Sequence, residues 1–522
     1  MLDFLRQFGS RLRRPFGAHP HPGLVGPVMA EVASDRPRVF WGGDWIPFED
    51  AVTHFCVAGA TGSGKTVLLR LLMQSVLPLI RTQPDTRALI YDAKRELHQV
   101  IYGILAAHAK LSEHEESIGL EDCVRTLDPF DSRCYAWNMG EDVKSAPSAL
   151  EIAAILVPVD KNDANPFFLN AGRDILCGVM RSFIRAGQSW TLRDVIFATM
   201  NRDDLKAILK RDPTTRHLVE ERYKNPKLLR DVLATLGSKV MYFEPIAAAW
   251  HRAAQAKRVL SLKDWTQQNY ILLLGNDEEN RSALDAINRL LFKRVSELLL
   301  AQESEGRRRT WIILDEFAKA GRLDGIDDLL TKGRAYGTCV VLGFQDIEAL
   351  RDRDLYGEHV ANVLVGQCAH KAILKLYSRA TADWACGLAG DFEHIEEAVS
   401  YTYGASDSQT LSYHVQKREA VLATEFMTLP RANRDGFEGW YISPDAVQRR
   451  PVPHGRLLLD PDRNVPNYAR RQDGDYDLEP WSDDEARSFR AAASSNAEDG
   501  KTKAEVANDL WSVPRIRTER GR

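Results

Sequence analysis

Residues 56–72 read CVAGATGSGKTVLLRLL, a glycine-rich loop between an apolar run and a helical pattern. Gly59, Gly62 and Gly64 have no Cβ, so the backbone there can take positive φ angles and come close to a ligand. The helix that follows turns its unpaired N–H groups and the positive end of its dipole toward the loop. The stretch therefore predicts a loop that binds phosphate groups.

The loop also fits the motif G-x-x-x-x-G-K-[ST], in which the lysine reaches the β- and γ-phosphates and the hydroxyl binds Mg²⁺. A glycine-rich turn with a chance lysine is the alternative, and the strand-like run at 55–58 and the helical run at 67–73 argue against it. We predict a nucleoside triphosphatase that uses ATP and Mg²⁺, with Thr66 as a metal ligand. The predicted nucleotide-binding residues are Gly59, Ala60, Thr61, Gly62, Ser63, Gly64, Lys65 and Thr66.

Length and composition set the class of protein. The 522 residues are enough for two or three domains, and a net charge of −4 gives no global argument for a nucleic-acid partner. The seven cysteines form no C-x-x-C pair, which is typical of a reduced, cytosolic protein without a zinc site. No apolar run reaches the roughly 18 residues that span a bilayer.

Apolar runs of strand length alternate with helical patterns, which predicts an α/β fold with a doubly wound, mostly parallel sheet. Between 161 and 269 no strand-like run is found. This segment contains 19 Lys and Arg residues but only 11 Asp and Glu residues. We read this segment as an all-α insertion whose basic surface either binds nucleic acid or is simply solvated. The predicted divisions are an N-terminal arm and short β region (1–50), two parts of a nucleotide-binding domain (51–160 and 270–465), the all-α insertion (161–269) and a polar tail (466–522), disordered or partner-binding.

A second run supplies the rest of the predicted site. The apolar residues 311–314 precede Asp315 and Glu316, so a buried strand delivers two carboxylates at its C-terminal end. We expect Asp315 to hold Mg²⁺ and Glu316 to act as the base that activates water. Gln345 follows another apolar strand and is a candidate sensor of the γ-phosphate. Arg334 is either a surface arginine or one that stabilises the transition state in an adjacent subunit.

Several motifs together resemble the coupling proteins of type IV secretion and conjugation, the TraD/TraG-type ATPases related to FtsK and HerA translocases. The resemblance spans roughly residues 40–450. The matching motifs are LDEFA (314–318), GRL (321–323), KGRAYG (332–337), LGFQ (342–345), DAKRE (92–96), LDPFD (127–131) and the segment 420–430.

The resemblance implies a RecA-like core, a hexameric ring and DNA threaded through the pore by ATP hydrolysis, with the all-α domains at the entrance. Matched by position, Arg334 is the family's trans-acting arginine and Gln345 its motif glutamine. Relaxase or relaxosome proteins and components of the secretion channel are the implied partners.

Coupling proteins usually begin with transmembrane helices, and this chain shows no such segment. The expected location is therefore the cytoplasm, with partners making any contact with the inner membrane. Two other functions stay open: a soluble HerA- or FtsK-like translocase in DNA processing or defence, and a nucleotide-gated adaptor that recruits secretion substrates.

Overall fold

The structure is a computed structural model that describes residues 37–111, 120–159, 166–303, 308–402, 408–455 and 457–491. Most of the predicted N-terminal arm, and the tail beyond residue 491, lie outside the described residues.

Fifteen strands are found in these ranges. They are β1 (Arg38–Trp41), β2 (Asp44–Pro47), β3 (Phe55–Ala58), β4 (Thr86–Asp92), β5 (Val124–Thr126), β6 (Ala136–Trp137), β7 (Val259–Leu260), β8 (Ile271–Gly275), β9 (Arg309–Leu314), β10 (Thr338–Phe344), β11 (His370–Ile373), β12 (Asp391–Thr402), β13 (Ser408–Glu419), β14 (Phe437–Ser443) and β15 (Ala446–Val452).

Nineteen α-helices accompany them within the described ranges. They are α1 (Lys65–Val76), α2 (Leu79–Thr82), α3 (Leu97–Leu111), α4 (Leu120–Cys123), α5 (Met139–Asp142), α6 (Ala146–Leu156), α7 (Pro166–Arg185), α8 (Leu192–Met200), α9 (Arg202–Arg211), α10 (Pro226–Val240), α11 (Glu244–Gln255), α12 (Leu262–Trp265), α13 (Arg281–Leu300), α14 (Ile326–Lys332), α15 (Ile347–Arg351), α16 (Gly357–Gly366), α17 (Arg379–Ala389), α18 (Ala423–Thr428) and α19 (Asp483–Arg490).

One nine-stranded sheet organises the molecule. Its strand order is β15-β14-β11-β3-β10-β9-β4-β8-β5. Every pair from β11 to β5 is parallel, whereas β14 and β15 form an antiparallel hairpin at the β11 edge. The predicted fold class, a mostly parallel α/β sheet, is confirmed.

Alternate residues of the central strands enter two different cores, one on each face of the sheet. On β3, Cys56 and Ala58 belong to one cluster, and Phe55 and Val57 belong to the other. Parallel strands buried on both faces read as continuous apolar runs. This is why the sequence revealed these strands so clearly.

The helices α5 to α11 lie between the short strands β6 and β7, which pair in parallel. The helical part therefore begins directly after Trp137, earlier than the predicted residue 161. Helix α6 packs against α7 and buries Ile152, Ala153 and Leu156. The basic composition begins near residue 161, between the packed helices α6 and α7. It therefore does not coincide with the start of the helical part.

The sequence predicts that the tail from residue 466 is disordered or binds a partner; in the structure, residues 466–491, which we call the C-terminal strap, pack against the helical part. Trp481 stacks on Phe489 with ring centroids 5.0 Å apart, and Phe489 contacts Phe183 of α7. Arg193 of α8 binds the carboxylate of Glu485 with both terminal nitrogens, at 2.9 and 3.2 Å. Polar composition suggested disorder, but these partners come from a distant part of the chain.

Strands β12 and β13 form a separate hairpin that joins no other strand in the described structure. Its exposed apolar side chains include Ile395, Tyr413 and Val415. Among the helices that the structure describes, none has the length and apolar character needed to cross a bilayer.

Candidate nucleotide-binding site

The phosphate-binding loop connects β3 to α1 at the carboxyl edge of the sheet. Gly62 and Gly64 take φ angles of 77° and 101°, a region that side chains disfavour. A Cβ on Gly64 would lie 2.7 Å from the ring of Phe437, so glycine is required there for space as well. Lys65 is the first residue of α1, whose opening N–H groups have no intrahelical partner. The loop thus has the geometry of an anion cradle.

Strand β10 lies between β3 and β9, so the ends of three neighbouring parallel strands meet beside the loop. Asp315 and Glu316 follow β9 directly. The Nζ atom of Lys65 lies 2.7 Å from Oε1 of Glu316 and 3.4 Å from Oδ1 of Asp315. The structure therefore brings together three residues that the sequence analysis assigned to one site across a long sequence separation.

Gln345, the residue after β10, links the loop to Glu316. Its Nε2 donates a hydrogen bond to Oε1 of Glu316 at 2.8 Å, and its Oε1 accepts one from the Thr61 hydroxyl at 3.2 Å. A change at the phosphate loop can reach the glutamate through this single side chain. Gln345 therefore contacts both the phosphate loop and the glutamate, and its role as a sensor of the γ-phosphate stays a prediction.

The pKa of Glu316 reflects a competition between burial and charge. Burial acts to raise it, but the hydrogen bond and charge of Lys65, together with Gln345 and Lys94, outweigh burial and lower the pKa below its usual value. The carboxylate is therefore ionised at neutral pH. An ionised carboxylate can accept a proton from water.

The two residues predicted to bind Mg²⁺, Asp315 and Thr66, offer oxygen atoms, which are suitable ligands for a hard cation. Oδ1 of Asp315 is buried and accepts no hydrogen bond from any residue that the structure describes. Thr66 is half-buried at the second position of α1, close in sequence to Lys65. Carboxylate and hydroxyl oxygens, together with phosphate oxygens, are the donors that Mg²⁺ prefers.

Lys94, for which no role was predicted, lies beside Glu316. Its Nζ lies 3.6 Å from Oε1 of Glu316. The preceding Asp92 caps α3 by accepting hydrogen bonds from the backbone of Glu96 and Leu97 at 3.1 and 2.8 Å. The DAKRE motif was visible in the sequence, but only the folded chain shows which of its side chains faces the glutamate.

Arg334 does not join this cluster. It lies in a short 3₁₀ helix before β10, and the neighbouring Gly337 accepts a hydrogen bond from the backbone of Thr310 near the start of β9. Arg334 is therefore at the amino edge of the sheet, roughly 20 Å along the seven-residue strand from the phosphate loop. Its side chain is exposed beside an open cavity of about 640 Å³.

Several basic side chains of the predicted all-α insertion lie on the segment between α9 and α10 and on the first turn of α10. Arg216, Arg222, Lys224 and Lys227 are all exposed. Arg222 also pairs with Asp174 at 2.8 Å. All four residues lie in the helical part between β6 and β7, whereas the phosphate loop connects β3 to α1.

Comparison with known proteins assigns the family. Residues 42–443 match the model of the type IV secretion-system coupling protein DNA-binding domain. The coupling protein TraD of Escherichia coli (strain K12) is 24% identical over 395 residues, which cover 73% of this chain and 50% of TraD. This chain thus spans about half the length of that relative.

Solved structures show the same fold. The bacterial conjugative coupling protein TrwBdeltaN70 in its unbound form has a TM-score of 0.59 at 21% identity, covering 83% of this chain and 92% of that one. TrwB in complex with ADP and Mg²⁺ has a TM-score of 0.57 at 21% identity, with 83% and 91% covered. On the extent of the family match, this chain belongs to the type IV secretion-system coupling proteins.

Proposed function

We propose that this protein is an ATP-hydrolysing ring motor that moves DNA, with any attached protein, to a type IV secretion or conjugation channel. One observation carries the proposal: Lys65, Asp315, Glu316 and Gln345 meet at a phosphate-binding loop, with Lys65 Nζ 2.7 Å from Glu316 Oε1. The family supplies the context, since its model is named for a DNA-binding domain. The nucleotide complexes of TrwB support the choice of ligand.

Each residue has a chemical task in this proposal. Phosphate oxygens compete with Glu316 for the ammonium group of Lys65, which frees the carboxylate to accept a proton from water. Gln345 holds that carboxylate in place. A Mg²⁺ ion held by Thr66 and Asp315 would neutralise charge that develops on the phosphates.

The position of Arg334 supports the proposal of a ring. An exposed arginine at the amino edge of the sheet cannot serve the site at the carboxyl edge of its own chain, but it can face that site in a neighbour. Arginine suits the task because its guanidinium stays charged and matches phosphate oxygens in pairs. We therefore propose a homo-oligomer, of which a hexamer is the expected form.

In this motor the helical part between β6 and β7 would form the DNA entrance, with Arg216, Arg222, Lys224 and Lys227 contacting the backbone. Such contacts release counterions from DNA. Contact with relaxase or relaxosome proteins, and with the channel at the inner membrane, belongs to the same proposal.

The test measures ATP turnover with and without DNA. We expect DNA to stimulate turnover in the wild type, and the stimulation to fade as salt rises. Lys65→Ala removes the phosphate-binding ammonium and should weaken nucleotide binding and abolish turnover, whereas Lys144→Ala, which changes an exposed lysine paired with Glu141, should leave both intact. Turnover indifferent to DNA would overturn the motor and favour a nucleotide-gated adaptor.

A further inference from the structure

An aromatic side chain is exposed close to the phosphate loop, and the proposed reaction leaves it without a task. Tyr377 follows β11, the neighbour of the loop strand β3 on the side away from β10. Its side chain is 49% exposed. A large, half-exposed ring at the carboxyl edge of a parallel sheet lies where such sheets bind ligands.

Backbone hydrogen bonds tie the surroundings of Tyr377 directly to the loop. The N–H of Ala60 donates to the carbonyl of Lys375 at 2.9 Å, and the N–H of Ala432 donates to the carbonyl of Gly62 at 3.1 Å. The segments on both sides of the ring are thus fixed relative to the phosphate cradle.

Two cations flank the ring. Lys375 Nζ and Arg431 Cζ each lie 5.9 Å from the centroid of Tyr377. The Lys375 ammonium group also donates to the carbonyls of Met427 and Leu429 at 3.1 and 2.5 Å, so it is held in place. Arg431 is exposed and presents its planar guanidinium to solvent beside the ring.

The catalytic residues fix the direction of a bound nucleotide. Glu316 and Gln345 lie on the β9 and β10 side of the loop, so the terminal phosphate faces that side. The base, at the other end of the nucleotide, then lies on a different side of the loop. The exposed ring of Tyr377 lies on the β11 side.

We propose that Tyr377 and Arg431 form a platform that binds the base of the nucleotide. This inference rests on the proposed function and deepens it, because it names the part of the ligand that the phosphate loop does not recognise. Every base offers a flat π face to an aromatic ring, and the guanidinium adds a planar cation beside it. The larger ring of a purine overlaps more of the platform, so purine nucleotides bind more tightly than pyrimidine nucleotides.

The experiment compares a ligand that has a base with one that has none. Calorimetry measures the binding of ADP, CDP and inorganic tripolyphosphate to the wild type, Tyr377→Phe, Tyr377→Ala and Arg431→Ala. Tyr242→Ala in the helical part, 64% exposed, is the matched control. We expect Tyr377→Ala to weaken ADP binding about tenfold, the scale of one lost aromatic stack, and to leave tripolyphosphate binding unchanged.

We expect Tyr377→Phe to bind ADP as tightly as the wild type. The ADP affinity of Arg431→Ala should lie between those of the wild type and Tyr377→Ala, and the preference for ADP over CDP should be smaller in Tyr377→Ala. Unchanged ADP affinity in Tyr377→Ala overturns the platform while leaving the nucleotide site intact. An equal loss of affinity for ADP and tripolyphosphate in Tyr377→Ala also overturns the platform, because the ring would then affect only the phosphate loop. A wild type that binds neither ligand overturns the proposed function together with the platform.

Discussion

At the scale of single residues, Glu316 combines an unusual backbone with a crowded carboxylate. Its φ and ψ angles of 57° and 52° are left-handed, a conformation that costs a non-glycine residue roughly 1–2 kcal/mol. The side chain contacts Lys65, Lys94 and Gln345 at once. Strain that persists because neighbours hold a side chain in place is typical of functional sites.

Glu316→Gln tests the role of this carboxylate. We expect ATP affinity close to that of the wild type, because Lys65 and the loop remain, and turnover at least about 100-fold lower, because the amide cannot accept a proton. Binding assays and steady-state turnover under saturating DNA measure the two effects. Wild-type turnover in the variant would show that Glu316 is not the base.

At the scale of elements, the C-terminal strap joins the two parts of the molecule. Tyr468 donates a hydrogen bond to the carbonyl of Phe130 at 2.9 Å, after β5 of the sheet. Further along, Trp481 donates to Asp194 of α8 at 2.8 Å, and Arg193 binds Glu485. The strap thus restrains the helical part relative to the sheet.

The ion pair of Glu485 makes this restraint sensitive to acid. Burial acts to raise the pKa of Glu485, but hydrogen bonds from Arg193 and Ser482 lower it to about 2. Since the folded pKa is below the unfolded value of roughly 4.3, the stabilisation is complete above that value and is lost as pH falls toward 2. We expect Glu485→Gln to speed amide exchange of residues 466–491 at pH 7, with the difference from wild type shrinking as pH drops toward 3.

Asp484→Asn is the control for this experiment, because Asp484 is 89% exposed and pairs only with Arg487 of the same helix among the described residues. It should leave exchange in the strap unchanged at every pH. A Glu485→Gln difference that grows on acidification would contradict a lowered pKa of Glu485 in the folded state.

The basic segment before α10 gives a second prediction at this scale. Charge reversal at Arg216, Arg222, Lys224 or Lys227 should weaken DNA binding and lower the slope of log affinity against log salt by about 1 for each lost phosphate contact. ATP affinity should not change, since these residues are separate from the loop. Lys144→Glu is the control, and equal weakening by it would point to net charge rather than to this surface.

At the scale of the whole molecule, the two edges of the sheet carry complementary halves of the proposed active site. One edge carries Lys65, Asp315 and Glu316, and the opposite edge carries Arg334. In the proposed motor, the arginine of one subunit therefore completes the site of its neighbour, and a closed ring of identical subunits completes every site.

Mixing two inactive variants tests this division. We expect Arg334→Ala to bind ATP nearly normally and to turn over roughly 10³–10⁵ times more slowly, as expected for the loss of a trans arginine. Mixed with Glu316→Gln, it should regain turnover, because some interfaces then combine an intact glutamate with an intact arginine.

Lys65→Ala mixed with Glu316→Gln is the matched control. Both residues come from the same chain of each site, so no mixture contains a complete site and turnover should stay absent. If mixed rings of Arg334→Ala and Glu316→Gln are demonstrated and remain inactive, Arg334 does not act between subunits.

Local sequence was enough to predict the phosphate loop, the carboxylates after β9 and the strands of the parallel sheet. These features are local: a buried parallel strand is a continuous apolar run, and the loop is a contiguous motif of eight residues, Gly59 to Thr66. The predicted runs at 55–58 and 311–314 therefore match β3 (Phe55–Ala58) and most of β9 (Arg309–Leu314).

The contacts between distant side chains could not be predicted in this way, because they form only in the folded chain. The ammonium of Lys94 near Glu316, the ring of Tyr377 beside the loop and the strap on α8 all depend on contacts between segments far apart in the chain. The strap is the clearest case, because its polar, acidic sequence has too few apolar residues to order itself and becomes ordered only against the partners that folding brings to it. The remoteness of Arg334 from Lys65 has the same origin, since opposite edges of a sheet become distinct only when its strands align.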